Sequence, residues 1–70
     1  MQPHDFKRIR TGLGLSHHEL AIVIGKDVRQ VFRYEGGDSP INPTARNLLI
    51  CLEAAPQLVE LLRAHPDQGS

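Results

Sequence analysis

Apolar side chains recur along this chain at spacings of three and four residues, which is the period of an amphipathic helix. In one clear case, Leu20 and Ile24 share a face of a short helix. Ser16, followed three residues later by Glu19, forms a capping box that marks its start. Gly25 suits its end, because a helix that stops in a sharp bend favours a residue that tolerates positive φ. The sequence therefore predicts a short helix between Ser16 and Gly25.

A second short helix follows at once, because Asp27 can cap it after a turn of about three to four residues. With Val31 placed at zero and about 100° per residue, Tyr34 falls at about −60°, on the packing side. Arg29 and Arg33 fall at about +160° and −160°, directly away from that side. One interpretation is base recognition, because the planar fork of arginine matches the paired acceptors of guanine. A solvated charged face is the other interpretation.

Three further helices complete the predicted architecture, an all-α bundle of five short helices that contains a helix-turn-helix. The first covers residues 3 to 13, where apolar residues recur at helical spacing. Asn42 caps the fourth helix, with Pro43 in its first position. Pro56 opens the last helix, and His65 with Pro66 closes it. The apolar stripe of the fourth helix consists of Ala45, Leu48, Leu49 and Leu52.

Seventy residues suffice for one domain, which we assign to residues 1–66, followed by a flexible tail at 67–70. Such a small core leaves little surplus stability, so a dimer partner would help. No apolar run approaches the roughly 20 residues of a membrane helix, and no signal peptide is recognisable. We therefore expect a cytoplasmic protein, prokaryotic or phage-encoded.

Neither the cysteine nor the histidines indicate a metal or catalytic site. Cys51 is the only cysteine, which excludes an internal disulfide and a multi-cysteine zinc site. It lies among leucines, so we expect a buried core residue. His17 and His18 diverge by about 100° on a helix, with no second ligand at a spacing of four. No base accompanies a nucleophile, so we predict neither an enzyme nor a cofactor.

The charge is balanced overall but unevenly distributed. A formal net charge of zero taken alone argues against DNA binding, since non-specific affinity comes from neutralising phosphates. In residues 1 to 37, six Lys and Arg oppose four Asp and Glu, which leaves +2. In residues 38 to 70, two oppose four, which leaves −2. The basic excess accompanies the two outward arginines, and its small size predicts weak non-specific binding.

The segment that contains both short helices resembles the helix-turn-helix of the lambda-repressor-like family, also called Cro/repressor or XRE. With its flanking helices, the similarity covers about residues 5 to 64. It implies an all-α domain that places the second helix of the pair in the major groove of double-stranded DNA. The matching positions are Leu15, Ser16, Glu19, Leu20, Ala21, Ile24, Gly25, Val31, Arg33, Glu35 and Gly37.

The resemblance implies roles for individual side chains. The family usually carries glutamine where His17 stands, and imidazole donates the same hydrogen bond only in the correct tautomer or when protonated. An arginine in the first helix pairs with a glutamate at the end of the recognition helix, and Arg10 and Glu35 occupy these positions. Residues expected to read bases are Val28, Arg29, Phe32 and Arg33, and those expected to contact phosphates are His17, Lys26, Arg46 and Asn47.

Several positions keep two interpretations. Val28 and Phe32 either contact thymine methyl groups or wrap round into the core. Ile22 and Val23 either extend the core, which we favour, or mark a partner surface. Arg46 either contacts a phosphate or extends into solvent.

The last helix carries more large apolar residues than one packing face needs, namely Leu58, Val59, Leu61 and Leu62. Part of this surface is expected to form a dimer contact, because helix-turn-helix dimers read two half-sites about 34 Å apart. The end of the chain is also similar to the ends of antitoxin DNA-binding domains. The predicted function is therefore a small homodimeric transcriptional repressor or autorepressor that binds a palindromic operator of a phage, plasmid or toxin-antitoxin type operon.

An alternative function is a protein-interaction module, similar to an antitoxin, that binds a partner protein through the last helix. The neutral net charge favours it. So does Asp38, which lies in the loop that the family lays along the phosphates and which should repel them. The outward arginines count against it.

Overall fold

The structure, a computed structural model, describes residues 1 to 64, with side chains as far as Leu62. This part of the chain contains five α-helices and no strand, which confirms the predicted all-α bundle. None of these helices is long and apolar enough to cross a membrane. The predicted closure at His65 and Pro66 and the predicted tail at 67–70 lie outside the described residues. The helices are α1 (Pro3–Gly12), α2 (His17–Ile24), α3 (Val28–Gly36), α4 (Pro43–Ala54) and α5 (Leu58–Ala64).

The boundaries of α2 follow the local sequence signals. The Ser16 Oγ accepts a hydrogen bond from the Glu19 backbone N–H at 3.1 Å, and the Glu19 Oε1 accepts one from the Ser16 N–H at 2.8 Å. This is the reciprocal capping box that the sequence predicts. Gly25 ends the helix with a φ of 69°, in the left-handed region. The chain therefore turns sharply before α3.

Substituting the capping serine tests whether this box sets the start of α2. Ser16→Ala should lower the free energy of unfolding by about 1 kcal/mol, because the Glu19 N–H loses its acceptor. Urea denaturation followed by circular dichroism measures the difference. His18→Ala, an exposed change in the same helical turn, is the control and should leave the midpoint almost unchanged. Equal midpoints for both variants would exclude the cap as a stabilising feature.

Side-chain caps also begin α3 and α4. The Asp27 Oδ1 accepts the backbone N–H of Arg29 at 2.8 Å, and the Asn42 Oδ1 accepts that of Thr44 at 2.7 Å. Pro43 occupies the first turn of α4, where its missing N–H leaves no hydrogen bond unmade. Both caps are the predicted ones, so the start of each helix is set locally.

The core holds α3 from two sides. α3 packs against α1 and α2, α4 packs against α1, and α5 packs against α2. Val31 and Tyr34 are the buried residues of α3, and the Tyr34 ring lies 5.3 Å from that of Phe6 in a tilted arrangement. The inner face of α3 is therefore anchored, and its other face remains exposed. The largest fully buried side chains are Phe6, Leu20, Val31, Leu49 and Leu52.

The prediction that Cys51 is buried is wrong, because its thiol is exposed. α4 buries Ala45, Leu49 and Leu52, which recur at spacings of three and four. Cys51 lies two positions from Leu49, or about 200° around the helix, so it is on the opposite side. The apolar run around Cys51 therefore covers both sides of α4: Leu49 and Leu52 are buried, whereas Ile50, like Cys51, is exposed.

Two further predictions need correction in part. Val23 is buried but Ile22 is exposed, so only one of this pair extends the core. The last helix begins at Leu58 and not at Pro56. Its first hydrogen bonds span three residues, from the Leu58 N–H to the Ala55 carbonyl and from the Val59 N–H to the Pro56 carbonyl. A tight turn therefore precedes the α-helix.

Candidate functional site

The outward face of α3 carries three exposed side chains, Arg29, Phe32 and Arg33. Val31 and Tyr34, on the opposite side, are buried. This division follows the 100° periodicity of the helix. We call these three exposed residues the α3 outer face.

Val28 differs from the other residues expected to read bases. Its side chain is partly buried and packs against the core. The core interpretation of Val28 therefore holds in part, and this residue has less surface to offer a ligand than its neighbours on α3. Phe32, in contrast, stays 53% exposed and does not enter the core.

Arg29 is bonded to the residue that caps its own helix. Its Nε lies 3.2 Å from the Asp27 Oδ1, and its Nη2 lies 3.4 Å from the Asp27 Oδ2. The side-chain hydrogen bond from Arg29, and then its backbone hydrogen bond, lower the pKa of the Asp27 carboxyl. Asp27 therefore stays ionised at neutral pH, and the cap weakens only as the pH falls through that lowered pKa. Both side chains are solvent-exposed, so the ion pair is weak and can exchange for another partner.

Arg33 has an unoccupied guanidinium. Within residues 1 to 62 it makes no hydrogen bond or ion pair, although it is close enough to Asp27 to help lower the pKa of that carboxyl. All the donors of its planar fork are therefore available to a ligand. Of the two outward arginines, Arg33 is the one that needs no rearrangement.

A buried ion pair connects α1 to the end of α3. The Arg10 Nε lies 2.5 Å from the Glu35 Oε2, and the Arg10 Nη2 lies 3.3 Å from the Glu35 Oε1. The Arg10 Nη1 also donates to the Leu15 carbonyl at 2.9 Å. Arg10 is only 7% exposed, and it is the one charged residue in the core of the described chain. The ion pair expected from the family resemblance is thus present, and its burial between α1 and α3 indicates a structural role.

His17, at the start of α2, contacts two residues of α3. Its Nε2 lies 3.2 Å from the Glu35 Oε1, and its ring stacks on Phe32 with centroids 4.3 Å apart and an interplanar angle of 22°. An ionised carboxylate only accepts hydrogen bonds, so the His17 Nε2 carries the proton. The neutral imidazole then has no second N–H to donate. A phosphate contact from His17, as expected from the sequence, therefore requires the protonated ring.

The other residues expected to contact phosphates are exposed but are not joined to the α3 outer face. The Arg46 Nε and Nη2 bond to the Asn47 Oδ1 at 3.2 and 3.0 Å, on the surface of α4. The Lys26 side chain extends into solvent from the turn before α3. Among the described residues, no hydrogen bond or ion pair links these three side chains to Arg29 or Arg33.

α5 presents a separate apolar surface. Val59 is buried and Leu62 packs against the core, so these two hold the helix against the bundle. Leu58 and Leu61 are 39% and 60% exposed. Half of the apolar surface predicted for dimer or partner contact is therefore used by the fold, and half remains exposed.

Two contacts at the site have no simple signal in the sequence. His17 and Phe32 lie fifteen residues apart on different helices, so neither periodicity nor a motif pairs them. The Arg29 bond to Asp27 had a weak signal, because a cap residue and the arginine two positions later are close in space. The sequence pattern indicates only the capping role of Asp27.

The described side chains include no group of three or more His, Cys, Asp or Glu that could hold a metal ion. The site is instead built from arginine forks, an aromatic ring and a carboxylate. Comparison with protein-family models, with curated proteins and with solved structures gives no match to this chain.

Proposed function

We propose that this chain is a sequence-specific regulator that binds double-stranded DNA with the α3 outer face in the major groove. In this proposal α2 and α3 act as a helix-turn-helix, and α3 is the recognition helix. The observation that carries it is the free guanidinium of Arg33, exposed on a helix whose opposite face is anchored in the core. The proposal also draws on the resemblance of the sequence to lambda-repressor-like proteins.

The geometry of α3 suits major-groove binding. The groove is about 12 Å wide and admits one α-helix with its side chains. Arg33 can donate two hydrogen bonds to the O6 and N7 of guanine, and the Phe32 ring offers an apolar contact beside it. Because Val31 and Tyr34 anchor α3 in the core, the backbone that carries these side chains has a defined position.

Few charges support this proposed complex. Among the residues expected to contact phosphates, the exposed cations are Lys26 and Arg46, and Asp38 opposes them. Each phosphate contact adds to the salt dependence of binding, so a protein with few contacts has a shallow slope and weak affinity for random DNA. Specific binding must therefore come mainly from base contacts, with a second protomer adding a second half-site.

Arg33→Ala should weaken binding to the specific DNA site by about 1 to 3 kcal/mol and relax its preference at one base pair. The reason is the loss of a two-bond contact to guanine. Fluorescence anisotropy with the site and its single-base variants measures both effects. Arg46→Ala is the matched control, since loss of a phosphate contact should weaken binding to all sequences equally. Unchanged affinity and preference in Arg33→Ala would remove Arg33 from the base-contacting residues.

We also propose that regulation takes the form of repression, by a homodimer that covers an operator of its own operon. A protein bound at a promoter excludes polymerase without needing a further activity. The exposed Leu58 and Leu61 of α5 offer apolar area for the second protomer.

The same two leucines support a second candidate function, an antitoxin-like module that binds a partner protein through α5. The bond between Arg29 and Asp27 also favours it, because Arg29 must exchange that contact before it can bind DNA. The salt dependence of binding distinguishes the two candidate functions. DNA affinity falls as salt rises, with a slope set by the number of phosphate contacts, whereas an apolar protein contact is almost insensitive to salt.

A further inference from the structure

Phe32 is an exposed aromatic ring with one face covered. It is 53% exposed on α3, yet the His17 ring from α2 stacks on it at 4.3 Å. Exposed side chains ordinarily change rotamer within picoseconds to nanoseconds. A stacked partner on a neighbouring helix restrains that motion and leaves the remainder of the Phe32 ring free for a ligand.

His17 is itself held by a series of contacts that begins in the core. Its Nε2 donates to the Glu35 Oε1, and Glu35 in turn accepts from the buried Arg10. Arg10 is fixed a second time by the Leu15 carbonyl. The position of the Phe32 ring is therefore coupled to buried groups of α1 and α3, although the ring lies at the surface.

We propose that His17 is a positioning residue for Phe32, and that the ring held in this way contacts the 5-methyl group of a thymine. This inference rests on the proposed function, because it assigns a base contact within the same DNA site. The major-groove edges of the bases display one apolar group, the thymine methyl, and a phenyl ring makes no hydrogen bond to the remainder. Phe32 directly precedes Arg33 in the chain, so the thymine lies near the guanine that Arg33 contacts.

The experiment compares one DNA fragment in two forms, amplified with either thymidine or deoxyuridine triphosphate. The second form lacks every thymine methyl group in the amplified strands. Wild-type protein should bind the uracil form about fourfold more weakly for one lost methyl contact. In Phe32→Ala that ratio should fall towards one. Ile50→Ala is the control, since Ile50 is 51% exposed but lies on α4, outside the α3 outer face, and should keep the wild-type ratio.

Three substitutions of His17 separate its two contacts. His17→Phe keeps a ring that can stack but loses the bond to Glu35, His17→Gln keeps a donor but no ring, and His17→Ala has neither. Positioning through the stack predicts that the thymine preference survives in His17→Phe and is lost in the other two. A role limited to stability would change the unfolding midpoints without changing the ratio.

Proton NMR of the free protein tests the stacking of His17 on Phe32 without DNA. The ring current of Phe32 should shift the His17 carbon-bound ring protons upfield in the proton NMR spectrum, and Phe32→Leu should remove that shift. An unshifted wild-type spectrum would overturn the positioning role.

The outcomes distinguish this inference from the function on which it rests. Specific binding with equal affinity for the two DNA forms, or a thymine preference that persists in Phe32→Ala, overturns the methyl contact alone. A wild-type ratio in His17→Ala overturns the positioning role. Binding that does not distinguish the native fragment from scrambled DNA overturns the proposed function itself.

Discussion

Glu35→Ala should lower the free energy of unfolding by about 3 to 5 kcal/mol, the cost of leaving a buried charge without its partner. Arg10 is almost wholly buried, and after the substitution only the Leu15 carbonyl remains to accept from its guanidinium. A domain of this size has a free energy of unfolding on the order of 5 kcal/mol, so much of the population should be unfolded at room temperature. Urea denaturation followed by circular dichroism measures the loss.

Glu53→Ala is the matched control. Glu53 also bonds to an arginine across two helices, with its Oε2 2.8 Å from the Arg8 Nη1, but both side chains are exposed. Exposed pairs contribute about 0 to 1 kcal/mol, so this variant should stay folded. A similarly small loss for both variants would contradict a structural role for the buried pair.

Phe6→Ala should cost about 3 to 5 kcal/mol by opening a cavity in the centre of the core. Phe6 is completely buried and its ring contacts that of Tyr34, which anchors α3. The substitution should therefore loosen the base of α3 as well as the fold. Thermal unfolding followed by circular dichroism measures the effect.

Leu61→Ala is the control for Phe6→Ala, because Leu61 is the most exposed of the large apolar residues of α5. Measured at low protein concentration, where any dimer is dissociated, its unfolding midpoint should stay close to that of the wild type. Equal shifts in the two variants would show that the assigned core is wrong.

The helices could be predicted from sequence because their determinants are local. Ser16, Asp27 and Asn42 cap the residues directly after them, and Gly25 needs only its own backbone freedom. Burial on α3 can also be predicted from the sequence, because a rotation of about 100° per residue places Val31 and the outward arginines on opposite sides of the helix. These features require no knowledge of which helices meet.

Burial on α4 and the side-chain contacts of the site are harder to predict from the sequence, because they depend on which helix surfaces pack together. Cys51 lies in an apolar run, and only the packing of α4 on α1 decides which side of that run is covered. The stack of His17 on Phe32 joins two helices through side-chain direction, which the sequence does not encode locally. The ion pair of Arg10 and Glu35 could be predicted only because the family resemblance indicated which residue is the partner of Arg10.

The contacts of Glu35 connect stability with the proposed DNA contact. One carboxylate neutralises Arg10 and also accepts from His17, which stacks on Phe32. Variants of Glu35 are therefore unsuitable for testing recognition, since they alter the fold as well. Arg33 is the better probe, because it has no partner in the described chain whose loss would destabilise the domain.

The most direct test of DNA recognition is a fluorescence-anisotropy titration of the purified protein. It uses DNA from immediately upstream of its own gene, beside a scrambled fragment, at two salt concentrations. We expect tight binding to the native fragment that weakens as salt rises, with weak binding to the scrambled fragment. Equal, weak binding to both fragments would contradict it and would direct attention to α5 and a protein partner.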